Sequence, residues 1–133
     1  MTNDQPVGRW FIDLDWLEQN NRSFLALAQG CLCPKCTERL KKGKTQFSPA
    51  EFPPHIKGCC AKAPGFITER TPILESVFRL VLANGNQPLN LEELNQQLSQ
   101  WRGGYRTSVE VLSRLLRYDQ YYGLHPVQET PER

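Results

Sequence analysis

All five cysteines of the chain lie in one stretch, residues 31–60. It begins with Cys31-Leu32-Cys33-Pro34-Lys35-Cys36, and Cys59-Cys60 follows about twenty residues later. Two thiols separated by two residues can face the same ion. A second pair completes a tetrahedral set of thiolates, the arrangement that Zn²⁺ prefers in structural sites. The spacing therefore predicts a metal-binding knuckle between the N-terminal and C-terminal parts of the chain.

Five thiols and one nearby histidine offer more ligands than a single zinc ion needs. The expected ligands are Cys33, Cys36, Cys59 and Cys60. If only one of the adjacent pair binds, Cys31 is the fourth ligand, and His55 is a second reserve because it lies four residues before Cys59. An iron–sulfur cluster also takes four cysteines and is the alternative to zinc. A thioredoxin-type dithiol shares the Cys-x-x-Cys spacing, but no βαβ pattern surrounds it here.

The amino-acid composition indicates a chain without a membrane-spanning segment. Of the 133 residues, 39% are hydrophobic, and no apolar run approaches the roughly 18 residues that a membrane helix needs. The first residues lack the pattern of a secretory signal, so we expect a cytoplasmic protein with no membrane partner. In that reducing compartment, clustered cysteines bind metal more often than they form disulfides.

Charge is distributed unevenly along the chain. The net charge is +2, yet residues 31–66 hold all six lysines and one arginine against only two acids. Four thiolates and one Zn²⁺ would add two negative charges in that stretch, which brings the whole chain close to neutral. A strongly cationic nucleic-acid-binding protein is therefore not indicated.

The N-terminal part carries the pattern of one helix. Asp15 and Glu18 have the spacing of a capping box, and Gly30 is typical of a helix end. Apolar residues recur between them at helical intervals, so we expect a helix over about residues 15–29. Before it, a short apolar run, Trp10-Phe11-Ile12, is expected to anchor the N-terminus to the core. After the first cysteines, Ser48-Pro49 is typical of a helix start, and Pro53-Pro54 is expected to stop that helix early. A short turn or a second helix start at His55-Ile56-Lys57 is then expected to present Cys59 and Cys60.

Three more helices and a short β-prone end are predicted in the C-terminal part. The first begins at Thr71-Pro72 and ends at Asn84-Gly85, the second begins at Asn90, and the third opens with the capping box Thr107-Ser108-Val109-Glu110. The third helix is expected to turn four apolar side chains inward, Val111, Leu112, Leu115 and Leu116. Residues 121–127 are aromatic and β-prone.

Over residues 71–127 this pattern resembles the winged helix-turn-helix superfamily. The residues that carry the resemblance are Leu91-Glu92-Glu93-Leu94, the third helix and Tyr122-Gly123-Leu124. The expected fold is therefore mainly α with a small β wing. Residues 1–66 would hold the N-terminal helix and zinc-binding knuckle, and residues 67–133 a winged-helix-like domain of three helices. The whole chain is also similar to small uncharacterised bacterial proteins with the same cysteine elements, a resemblance that implies no activity.

The resemblance implies that the third helix enters a major groove of DNA. Ser113, Arg114 and Arg117 are expected on its outward face, opposite Leu112 and Leu115. Arg102 and Arg106, in the preceding connection, are expected to add phosphate contacts. The expected function is thus DNA-associated and related to transcription.

No catalytic motif accompanies these features. Only His55 and His125 could act as general bases near neutral pH, and no nucleophile elbow, phosphate-binding glycine loop or carboxylate pair is present. We therefore expect no enzymatic activity and no small-molecule substrate. The alternative function is an adaptor in a larger complex with a purely structural zinc site, for which five aromatic residues are candidate anchors: Trp10, Trp16, Trp101, Tyr121 and Tyr122. A third hypothesis is a redox sensor in which Cys31 tunes metal release.

Overall fold

A computed structural model describes residues 8–43, 48–63, 65–104 and 107–127. These residues are mainly helical, as expected, with a small antiparallel sheet. The α-helices are α1 (Leu14–Gln19), α2 (Phe24–Gln29), α3 (Pro34–Lys41), α4 (Phe52–Gly58), α5 (Ile73–Ala83), α6 (Leu91–Trp101) and α7 (Val109–Arg117). Two short 3₁₀ turns cover Pro49–Glu51 and Cys60–Lys62, and the strands are β1 (Arg9–Ile12), β2 (Leu89–Asn90) and β3 (Leu124–Pro126).

The predicted N-terminal helix over residues 15–29 is wrong, because two helices occupy this segment. Asn21 adopts a left-handed conformation, with φ of 58°, and interrupts the helix. Asparagine tolerates this region better than most residues. Ser23 then caps α2 by accepting a hydrogen bond from the backbone N–H of Ala26 at 3.1 Å. The N-cap of α1 is Asp13, not Asp15 as the capping-box pattern predicted.

The prolines after Ser48 begin a helix and do not stop one. The 3₁₀ turn from Ser48 leads directly into α4, where Pro53 and Pro54 lie in the first turn. Backbone N–H groups in a first turn have no partner within the helix, so proline costs little there. As a result α4 continues to Gly58 and delivers the second cysteine pair.

The sheet has the order β2-β1-β3, with both pairings antiparallel. Trp10 of the central strand pairs with Leu89, and Phe11 pairs with His125. The strand near the C-terminus, expected as a wing, thus pairs with the N-terminal strand. Residues 1–66 and 67–133 therefore share one sheet.

A single hydrophobic core lies between this sheet and the helices. Helices α5, α6 and α7 pack in sequence order, and α4 packs on α5. The helix start predicted at Asn90 is confirmed, and a capping box forms there, since Asn90 Oδ1 accepts from the Glu93 backbone and Glu93 Oε1 accepts from the Asn90 backbone. Within the described ranges, no helix has both the length and the apolar character needed to cross a membrane.

Candidate metal centre

The N-terminal end of α3 presents the first cysteine pair. Cys33 is the N-cap residue, Pro34 is the first helical residue, and Cys36 follows in the first turn. Proline suits this position because its φ is already helical and its missing N–H would have no partner there. Both sulfur atoms therefore lie at the positive end of the α3 dipole, which favours thiolates.

The C-terminal end of α4 presents the second pair. Cys59 is the C-cap residue, with φ of −132° and ψ of −69°, and Cys60 begins a 3₁₀ turn. The Cys59 N–H donates to the carbonyl oxygen of His55 at 2.9 Å, and the Lys62 N–H donates to the carbonyl oxygen of Cys59 at 3.1 Å. Because the chain turns here and is not extended, adjacent side chains can reach the same point.

Four sulfur atoms converge between these two helix ends, those of Cys33, Cys36, Cys59 and Cys60. All four Sγ atoms lie within 4.8 Å of one another, and the Cys36 and Cys59 Sγ atoms are 3.7 Å apart. Tetrahedral Zn²⁺ with Zn–S bonds of about 2.3 Å separates its sulfurs by roughly 3.8 Å. Disulfide bonds are far shorter, and these cysteines are free thiols. The cluster could therefore hold a metal ion.

Burial and hydrogen bonding set the ionisation of these thiols. Cys60 is fully buried, and burial raises its pKa to about 11. Burial likewise raises the pKa of Cys36, and neighbouring thiols raise it further. At Cys33 burial opposes ionisation, but hydrogen bonds from the Cys36 backbone and from the other three thiols lower its pKa to about 7. The Cys33 thiolate is thus accessible near neutral pH, and metal binding must displace the protons of Cys36 and Cys60.

The two reserve ligands lie outside the set of four. Cys31 is buried in the core, and its thiol donates to the carbonyl oxygen of Leu27 at 3.7 Å. Burial raises its pKa to about 11, partly offset by the Arg79 cation, which opposes the reactivity that a redox sensor requires. His55 Nε2 lies 3.1 Å from Cys36 Sγ. It thus contacts a member of the cysteine cluster, as the outer partners of metal sites commonly contact the ligands.

The residues expected to contact nucleic acid do not share one surface. Arg114 and Arg117 are exposed on α7, as expected. Ser113 is only 5% exposed, so the expectation that it faces outward is wrong. The buried stripe of α7 is centred on Leu112 and Leu116, and Ser113 lies about 60° from Leu116 around the helix axis. Val111, expected inward, is exposed for the same reason.

The connection before α7 contributes differently from expectation. The guanidinium group of Arg102 donates to the carbonyl oxygens of Thr71 and, at 3.4 Å, Thr68. It therefore ties the end of α6 to the segment before α5, and these bonds engage the side chain that was expected to contact phosphate. Arg106 lies outside the described residues.

Four of the five aromatic residues considered as interface anchors are buried or half-buried. Trp10 is 6% exposed in the central strand, while Trp16, Trp101 and Tyr122 are half-buried and pack against the core. Only Tyr121 in this group is exposed, at 47%.

Comparison with family models, curated proteins and solved structures finds no match for this chain. The winged-helix resemblance and the resemblance to small bacterial proteins both stay predictions. The function is therefore inferred from the geometry of the site.

Proposed function

We propose that this chain is a non-enzymatic zinc protein whose metal site is structural and whose C-terminal module is winged-helix-like and DNA-associated. The observation that carries the zinc assignment is the convergence of four sulfur atoms within 4.8 Å. They come from the ends of two helices, α3 and α4. A bound ion would fix the angle at which these helices meet.

Zn²⁺ fits this site better than an iron–sulfur cluster. Sulfurs this close surround the volume of one ion, whereas a cluster places several irons between its thiolates. Four protein ligands also leave no open position for water or substrate, which is typical of a structural zinc site. His125 Nδ1 lies 3.1 Å from Asp13 Oδ2, and the His125 ring makes a T-shaped contact with the ring of Trp16.

The zinc proposal is tested by elemental analysis of protein purified without added metal. We expect one zinc per chain and no visible absorption from iron. Cys36→Ser and Cys60→Ser should each lose most of the metal, whereas Cys31→Ser should retain it. Full zinc content in both ligand variants, or an iron–sulfur spectrum in the wild type, would contradict the assignment.

Two observations support DNA association. The order α5, β2, α6, α7, β3 follows the helix–strand–helix–helix–strand pattern of a winged helix, although β1 supplies the strand between β2 and β3. In that arrangement α7 would be the recognition helix. Its exposed Arg114 and Arg117 are suited to guanine edges or phosphate oxygens.

DNA association is tested by fluorescence anisotropy with labelled duplexes at low and moderate salt. Affinity should fall steeply with salt, because each neutralised phosphate releases counterions. Arg114→Gln should weaken binding, whereas Arg70→Gln, which removes an exposed arginine outside α7, should not. The absence of duplex binding at low salt would reject this role.

An adaptor role is the second candidate, favoured by one feature of α7. Val111, Arg114 and Tyr118 recur at helical intervals and are all exposed, Tyr118 at 74%. Tyrosine and arginine are enriched among the residues that dominate protein interfaces. This role predicts that Tyr118→Ser weakens binding of a purified partner and leaves duplex affinity unchanged. If Tyr118→Ser and Arg114→Gln weaken only DNA binding, the adaptor role fails.

A further inference from the structure

A polar cleft of about 500 Å³ lies beside the C-terminal end of α7. Its walls come from parts of the chain that are distant in sequence. Helix α1 contributes Trp16, the segment after it contributes Asn20 and Arg22, and α7 contributes its last residue, Arg117. His125 of β3 completes the wall. The volume is within the range of small-ligand sites.

Both arginines of the cleft have free hydrogen-bonding capacity. The guanidinium carbon of Arg22 lies 4.6 Å from the centre of the Tyr121 ring. Stacking on a ring leaves the in-plane N–H donors of a guanidinium available. Arg117 Nη2 donates one bond, to Ser113 Oγ at 3.4 Å. In the part of the chain that the structure describes, no carboxylate lies within ion-pair distance of either arginine.

The carboxylates near the cleft are already engaged. Asp119 is 7% exposed, and its oxygens accept hydrogen bonds from the backbone N–H groups of Tyr121, Tyr122 and Leu124. The carboxylate of Asp13 contacts His125. The two guanidinium groups are therefore the cleft's main available charged groups, and the ligand they favour is an anion.

We propose that this cleft binds a nucleotide unit, with its phosphate held by Arg22 and Arg117 and its base against the indole of Trp16. Guanidinium groups bind phosphate through paired, charge-assisted hydrogen bonds. An aromatic wall beside them suits a base, because every nucleobase has a face that stacks on aromatic side chains. If the nucleotide belongs to a DNA strand, this inference rests on the proposed DNA association and specifies where the strand lies. A free mononucleotide would be a separate ligand.

The experiment uses the full zinc-loaded chain and isothermal titration calorimetry at low salt. The probes are inorganic phosphate, deoxyadenosine monophosphate and a short single strand of deoxyadenylate. We expect the monophosphate to bind, and Arg22→Gln and Arg117→Gln each to weaken it at least about tenfold, as is usual when a hydrogen bond to a charged group is lost. Arg70→Gln is the matched control and should bind like the wild type.

A second comparison tests the contribution of Trp16. Trp16→Leu should weaken the monophosphate while leaving the affinity for inorganic phosphate unchanged, because only the base contacts the indole. Circular dichroism and zinc content should match the wild type in every variant that is compared. If the single strand binds much more tightly than the monophosphate, and both affinities depend on Arg22, the ligand of the cleft is a nucleic-acid strand. Equal affinities of the single strand and the monophosphate indicate that the ligand is a free nucleotide.

Two results would overturn the inference: no binding of the monophosphate to the wild type, or binding that Arg22→Gln and Arg117→Gln leave unchanged. Failure here is distinguishable from failure of the proposed DNA role. If the chain binds duplex through Arg114 but not Arg22, and does not bind the monophosphate, the nucleotide site in the cleft is rejected and the DNA role is supported. If the chain binds the monophosphate but no DNA, the nucleotide site is supported and the DNA role is rejected.

Discussion

Arg79 of α5 donates a hydrogen bond from Nη2 to the carbonyl oxygen of Gly30 at 3.0 Å, across 49 positions of the chain. The same guanidinium donates from Nη1 to the carbonyl oxygen of Phe66 at 3.1 Å and from Nε to Glu75. Gly30 and Phe66 flank the cysteine stretch on its two sides. One side chain therefore holds both ends of the cysteine stretch against α5.

Arg79→Lys should destabilise the protein by about 2–4 kcal/mol, because hydrogen bonds to a charged group contribute roughly 1.5–3 kcal/mol each. A lysine ammonium cannot span both carbonyl oxygens as the planar guanidinium does. Chemical denaturation of the zinc-loaded protein measures the change. Arg70→Lys, at an exposed position, is the control and should stay within about 0.5 kcal/mol of the wild type. Equal stabilities of the two variants would show that the Arg79 contacts contribute nothing.

Removal of zinc by a chelator should lower the melting temperature strongly, since structural zinc contributes on the order of 10 kcal/mol of binding free energy. Helical signal from α3 and α4 should be lost first, while α5, α6 and α7 keep much of theirs because they pack on one another. Circular dichroism and amide hydrogen exchange measure this. The Cys31→Ser protein should respond to the chelator as the wild type does. An unchanged melting temperature after complete metal removal would contradict a structural role.

Gly123→Ala should cost roughly 3 kcal/mol of stability, for two reasons that add. Gly123 has φ of 71°, and an added Cβ would lie 2.8 Å from Leu17 Cγ in the buried core. Left-handed backbone and overpacking each cost about 1–3 kcal/mol for a residue with a side chain. Gly103→Ala is the matched control, because Gly103 has φ of 70° and a Cβ added there would have no atom within 4 Å. It should cost about 1 kcal/mol, and an equal loss in both variants would exclude the contact with Leu17 as a cause.

Asn86→Gly should destabilise the protein by about 1–3 kcal/mol through lost hydrogen bonds. The Asn86 side chain accepts from the Ile12 N–H at 2.8 Å and donates to the Ile12 carbonyl oxygen at 3.1 Å, which extends the pairing of β1. Asn21→Gly is the control, because Asn21 has the same φ of 58° and glycine relieves strain equally at both positions. Thermal unfolding of the two variants separates the loss of the hydrogen bonds from the relief of backbone strain. If both are equally stable, the Asn86 bonds to β1 carry no net energy.

Local signals predicted the parts of the fold that depend on neighbours in sequence. The start of α6 at Asn90 follows from a capping box of four residues, and the two cysteine pairs follow from spacing and ligand chemistry. The break at Asn21 was missed because the apolar spacing continues through it. Its signal was present in Ser23, which is a good N-cap residue.

The residues expected to contact nucleic acid show what helical periodicity cannot predict. Apolar spacing indicated that α7 has one buried side, but Val111 and Ser113 could be exchanged between inside and outside by a modest rotation of the helix. That rotation depends on how α6 and β3 pack against α7. The cleft at Arg22 and Arg117 had no sequence signal at all, since its walls come from α1, α7 and β3.

By itself, the sequence determined which thiols can share an ion and where the three C-terminal helices begin, because capping, ligand spacing and periodicity act between residues a few positions apart. Only the tertiary structure decided that β1 is the central strand, that Ser113 is buried and that Arg79 reaches Gly30. These features join residues that are far apart in the chain. Their energies depend on contacts that exist only after the core has packed.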